Sequence, residues 1–195
     1  MNPAQILFFV SNFTIASTLA TISWLYIDAL LFRFEIKSFL RLIGFSLLTI
    51  VFALNFATLF YSANQTLIFW IQSISFWFLF ISFIFDSHSK LQILTIAGII
   101  ATVFLNKHAL LSLQSFLIAI SILQLAYFTK HKDMIPLTLG FFLISIAEFF
   151  NYLDKFKGFE NLSLAGSLLY VFVAIALFYW LWSYLVIRFT LKRKS

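Results

Sequence analysis

Residues 66–85 read TLIFWIQSISFWFLFISFIF, an apolar run the length of a membrane crossing. At about 1.5 Å of rise per residue, a helix of roughly 20 residues covers the ~30 Å hydrocarbon core of a bilayer. Similar runs lie on both sides. Upstream are 4–29 and 38–61; downstream are 91–105, 109–128, 134–153 and 162–187. Polar breaks between them are very short. The sequence therefore predicts an all-α integral membrane protein, a bundle of seven transmembrane helices in one domain over 1–187, with a basic tail at 188–195. Span 91–105 is the shortest. It reaches only ~22 Å, so it either extends through Asn106 or sits beside a tilted neighbour in a locally thin bilayer, and a six-span reading stands as the alternative.

Composition agrees. The chain is 63% hydrophobic and 10% charged, with a mean hydropathy of +1.02. A soluble domain carries about 25% charged residues and could not keep this much apolar surface from water. Cysteine is absent, which removes disulfides, thiolate metal sites and thiol nucleophiles. Met1-Asn2-Pro3 has no basic n-region, so the first span reads as retained rather than cleaved. The 28 phenylalanines read as a bias of overall composition.

Lysine and arginine orient the spans. With the N-terminus outside, Arg33, Lys37, Arg41, Lys90, Lys130, Lys132, Arg188, Lys192, Arg193 and Lys194 fall inside, and only Lys107, Lys155 and Lys157 fall outside. This is the positive-inside pattern, and the tail suits an anionic cytoplasmic lipid surface. The expected location is a plasma membrane or bacterial inner membrane, with the bilayer itself as the first partner. A net charge of +6 follows from this topology and does not point to nucleic acid.

An internal repeat is also suggested. At an offset of 96, Gly44-Phe45 meets Gly140-Phe141, Leu47 meets Leu143, Ile50 meets Ile146 and Asn55 meets Asn151. An offset of four spans keeps both copies in the same orientation, as a parallel 3 + 1 + 3 duplication requires, with 91–105 as the linker.

Glu148 is the sharpest polar residue. It sits inside the sixth span, ~7 Å from its midpoint towards the outside. A lipid-facing carboxylate there is expensive, so Glu148 should face the bundle. Thr138, Ser145 and Tyr152 recur at seven-residue steps within a quadrant of it. Asn12, Asn55, Gln72, Gln114, Asn151 and Ser167 all fall in the outer halves of their spans. With Glu148 they form a candidate polar pocket open to the outside, or else a set of separate interhelical hydrogen bonds. Asp28 is expected to pair with Arg33 or Lys37, Thr14, Thr18 and Thr21 to mark close helix packing, and Gln124 to bond between helices.

Other chemistry is poorly supported. His88, His108 and His131 lie at span ends or in loops. Asp86 with His88, and His131 with Asp133, could hold zinc, but Lys90, Lys130 and Lys132 repel a cation there. No histidine pair suits a haem. The seventh span has no lysine for a retinal Schiff base. HExxH, GxSxG and P-loop motifs are missing. No cofactor, metal or catalytic residue is expected.

The stretch from Leu139 through Glu148 to Asn151, then Leu164-Ala-Gly166-Ser167 and the run ending Trp180-Leu-Trp182, resembles the last two helices of the seven-span sensor modules that precede prokaryotic histidine kinases. The resemblance covers about 50 residues. It implies an N-out, C-in topology and a sensory role. No transmitter domain follows here, so it implies a module that signals through a separate protein partner. Two alternatives stand beside this sensory reading: a small-solute or ion carrier of 3 + 1 + 3 type, and a non-catalytic assembly partner in a larger membrane complex.

Overall fold

Arg33-Phe34-Glu35 and the start of the next helix show a recurring pattern: a long apolar helix, a brief polar break, then reversal. The computed structural model describes residues 3–58, 60–62, 64–84, 107–157 and 162–192. Six helices are found there: α1 (Pro3–Phe32), α2 (Ile36–Ala57), α3 (Gln65–Ile84), α4 (Lys107–Thr129), α5 (Ile135–Lys157) and α6 (Leu162–Lys192). All six are long and apolar enough to cross a membrane. No strand occurs among the described residues. The protein is thus an all-α, multi-pass integral membrane protein. The predicted span 91–105 lies outside the described residues.

Local chemistry sets the helix ends. Pro3 opens α1, where its missing N–H costs nothing. Glu35, in extended backbone, leads into α2. The Asn64 side-chain oxygen accepts from the Thr66 and Leu67 amides at 3.0 and 3.3 Å, capping α3. Lys130 stops α4 in the left-handed region at φ 57°. A 3₁₀ turn, Lys132–Met134, then leads to α5. Arg33 and Lys37 both reach Glu35, at 3.4 and 3.6 Å.

The helices form a closed ring in chain order, with α6 returning to α1. Most neighbours are antiparallel: Phe13 meets Phe56 and Tyr26 meets Phe45 between α1 and α2. Two seams differ. Lys107 lies beside Thr66 and Phe69, and Gln114 bonds Ser73, so α3 and α4 run parallel. Phe8 touches Tyr170, and Thr14 shares a groove with Phe178, so α6 and α1 also run parallel. The Pro3 end of α1 and the Lys192 end of α6 therefore lie at opposite ends of the bundle.

Outside, the ring is apolar. Trp24, Leu31, Phe32, Tyr127 and Phe172 are exposed, an arrangement that only lipid favours. Inside, Phe45, Phe52, Phe76, Phe80, Phe83 and Phe141 are fully buried. Composition alone did not mark these phenylalanines as special. Hydroxyls on α1 are mostly satisfied within the helix: Ser11, Thr14, Ser17, Thr18, Thr21 and Ser23 each donate to a carbonyl three or four residues back. Thr21 can therefore stay exposed.

Glycine permits the closest approaches. A Cβ on Gly44 would lie 2.6 Å from Leu79 Cγ, and one on Gly140 would lie 3.0 Å from Leu177 Cδ2. Between α4 and α5, Ser112 and Ser145 exchange bonds, each hydroxyl donating to the other's carbonyl at 2.8 Å.

Candidate functional site

At the end of the ring where α1, α3, α4 and α6 begin, the core gives way to a cavity of about 380 Å³. All six helices line it. Phe8 comes from α1, Asn55 from α2, Gln65, Ile68, Phe69 and Gln72 from α3, Lys107, His108 and Leu111 from α4, Glu148 and Asn151 from α5, and Tyr170 from α6. Polar residues gather here because the helix ends carry them and the ring brings those ends together.

Glu148 is the centre of this arrangement. It is 4% exposed and points into the ring. The Tyr170 hydroxyl donates to its Oε1 at 2.8 Å, and Gln72 Nε2 donates to the same oxygen at a long 3.5 Å. His108 Nδ1 sits 2.9 Å from Oε2; with the proton on Nδ1 the ring donates as well. Three helices thus converge on one carboxylate of a fourth. A carboxylate has only acceptors to offer, and each partner can supply a donor. Also facing the cavity are Lys107, whose ammonium lies 3.3 Å from the Thr66 hydroxyl, and the side-chain amides of Asn55, Gln65 and Asn151.

Of the seven residues singled out from sequence, the structure gathers Glu148, Asn151, Asn55 and Gln72 in the cavity. Asn12 is fully buried but turns back on its own helix, donating to the Phe8 carbonyl at 2.6 Å. Gln114 is buried a turn deeper and donates to Ser73 at 2.9 Å. Ser167 is half-buried on α6 and is not among the cavity's lining residues. Asn12 Oδ1 and Gln114 Oε1 meet no donor among the described residues. Gly166 leaves room for Asn151, whose Oδ1 lies 3.1 Å from where a Cβ would sit.

His108 and Tyr170 were not found by sequence reasoning as partners of Glu148, nor Lys107 as a lining residue of the cavity. His108 looked like a span-end histidine, and Tyr170 like one aromatic in an aromatic helix. Register held a signal for His108. Counted in helical steps, His108, Leu111 and Ser115 lie along one stripe of α4, which the ring turns inward. For Tyr170 no sequence signal stood out.

The other histidines do not reach the site. His131 pairs with Asp133 at 3.4 Å at the opposite end. Asp86, His88 and Lys90 lie outside the described residues. No group of three metal-ligating residues occurs among the described residues.

Comparisons with protein families, characterised proteins and solved structures return no match. Function must therefore be argued from the cavity itself. Deeper in the ring the packing is aromatic: Phe76 meets Phe141 at 6.3 Å, and Phe52 meets Tyr170 at 6.1 Å. Solvent reaching Glu148 from the mouth meets phenylalanine below it. The geometry suits capture of a small polar solute, or of a proton, at one end of the bundle.

Proposed function

We propose that the protein is a small membrane receptor, a sensory module whose pocket faces outside and whose output passes to a separate protein partner. One observation carries this reading: Glu148 is bonded from α3, α4 and α6 at the foot of an open cavity. A solute or proton arriving there competes for the same donors. Releasing Tyr170 frees α6 from α5, and releasing His108 frees α4. Binding therefore favours a different packing of these helices. The close Gly140–Leu177 approach carries the change towards the far end of α5 and α6. Likeness to the sensor modules, and the basic residues at the end opposite the cavity, support an N-out, C-in orientation.

Seven crossings are part of this reading. Ile84 ends α3 at one end of the ring, and Lys107 begins α4 at the other. Twenty residues of α3 separate the two ends by about 30 Å. The parallel packing of α3 and α4 supports that count.

A carrier is the second reading, favoured by repetition of the burial pattern. Arg41, Gly44, Phe45, Leu48, Val51 and Phe52 are buried on α2; Leu137, Gly140, Phe141, Ile144, Ala147 and Glu148, each 96 later, are buried on α5. Leu79 and Leu177 face the paired glycines, and Gln72 and Tyr170, with the same spacing of 98, both bond Glu148. The two parallel seams are what a twofold-related pair of triple-helix units would produce. Glu148 has Phe52 as its counterpart, so the site would sit on the axis but be charged from one side.

Because the chain lacks cysteine, single cysteines report access cleanly. In oriented proteoliposomes, Gln72→Cys should react with a membrane-impermeant sulfonate thiol reagent from the cavity side only. Ser62→Cys should react from that side, and His131→Cys from the other. Reaction of Gln72→Cys from both sides would favour the carrier. For signalling, filling the cavity covalently at Gln65→Cys should alter hydrogen exchange in 132–139. A response confined to cavity residues would remove the receptor.

A further inference from the structure

At the end opposite Glu148, α4 closes with Tyr127 and Phe128, both exposed. Lys130 follows in the left-handed region at φ 57°. That conformation strains a lysine more than a glycine or asparagine. A cleft of about 570 Å³ opens beside this turn. Leu123, Ala126 and Ile135 form an apolar wall, Tyr127 an amphipathic edge, and Lys130 and Lys132 a cationic rim. Asp133, in the same turn, is engaged by His131 at 3.4 Å. Neither lysine ammonium has an acidic partner among the described residues.

We propose that this cleft is a binding site for one anionic phospholipid, with its phosphate between Lys130 and Lys132 and one acyl chain along Leu123, Ala126 and Ile135. Several features favour a lipid. The wall belongs to the lipid-facing exterior, where an acyl chain is the available apolar partner. Exposed Tyr127 marks the depth at which headgroups lie. The rim holds two positive charges with no acidic partner among the described residues, at the level where lipid phosphates sit, and basic pockets between membrane helices recognise such headgroups. A free phosphate would gain nothing from the apolar wall. This inference depends only on the chain being in a membrane, and stands apart from the role of the Glu148 cavity.

Native mass spectrometry and thermal unfolding of the full chain in a neutral detergent would test it. The probes are dioleoyl phosphatidylglycerol, dioleoyl phosphatidylcholine and glycerol phosphate. Phosphatidylglycerol should bind as one tight adduct and raise the unfolding temperature; phosphatidylcholine and glycerol phosphate should not. Each lysine contact is worth about a fivefold change in affinity, so Lys130→Asn with Lys132→Gln should weaken the adduct roughly twentyfold to thirtyfold. Asparagine is chosen because it tolerates φ 57°, so the fold is kept. Lys130→Arg with Lys132→Arg should retain binding. Equal binding of phosphatidylcholine, protection by glycerol phosphate alone, or an unchanged adduct in the Asn/Gln variant would each overturn the proposal. A loss in the arginine variant would overturn it too.

Discussion

Glu148→Ala should lower the unfolding temperature by roughly 5–12 °C. The substitution removes the acceptor of the Tyr170 hydroxyl, Gln72 Nε2 and His108 Nδ1, and the first two are nearly inaccessible. Three interhelical bonds at about 0.6 kcal/mol each, with the added cost of buried orphan donors, sum to about 2–4 kcal/mol. For a chain of this size that corresponds to a shift of about 2–4 °C per kcal/mol. Glu148→Gln keeps one acceptor oxygen and should recover about half of the loss. A Tyr170→Phe, Glu148→Gln double-mutant cycle checks that the hydroxyl acts through the carboxylate: the two losses should be less than additive. Full additivity, or an unfolding temperature unmoved by Glu148→Ala, would mean that the observed bonds do not hold the mouth of the ring together.

The second large effect is expected at Gly44. An added methyl would stand 2.6 and 2.7 Å from Leu79 Cγ and Cδ2, and 3.3 Å from the Leu79 backbone nitrogen. No rotamer of Leu79 relieves the backbone contact, so α2 and α3 must separate. The buried bond from the Ser75 hydroxyl to the Gly44 carbonyl, 2.7 Å long, would stretch with them. Gly44→Ala should therefore cost about 2–3 kcal/mol, the usual penalty of overpacking with a lost hydrogen bond. Gly140→Ala should cost less, because its added methyl meets only side-chain atoms of Leu177 and Ala176. Leu79→Ala in the Gly44→Ala background should restore part of the loss. Chemical denaturation in mild detergent measures all three; a Gly140→Ala penalty larger than that of Gly44→Ala would contradict the packing described.

Much of the architecture could be read before any coordinates, because lipid imposes a simple rule. Every crossing must be a helix of apolar residues, so six helices appear within a few residues of the expected runs. Depth along each run could be read as well, which is how Glu148, Asn151, Asn55 and Gln72 were brought together from three separate stretches. Azimuth could not. In water, the polar face of a helix declares which side is out. Here the polar side chains of α1 are spread round the helix and mark no one face, and Asn12 and Gln114, at suitable depths, turn into packing contacts instead of the cavity. His108 shows the same limit from the other direction: its position at a helix start gave its depth, but only the closed ring shows that it faces Glu148. Histidine and tyrosine became visible as partners once the neighbours of α5 were known.

The hydroxyls of α1 have a consequence for biogenesis. Of the described helices this one is made first, yet one of its two flanking neighbours, α6, is made after all the others. For most of synthesis its inner surface meets acyl chains. Had Ser11, Thr14 and Thr18 relied on α6 for their hydrogen bonds, the waiting segment would carry exposed polar groups in hydrocarbon. Each instead leans on a carbonyl of its own backbone. The hydroxyls of this first stave are thus satisfied before the last arrives, and for them closure can be left to shape.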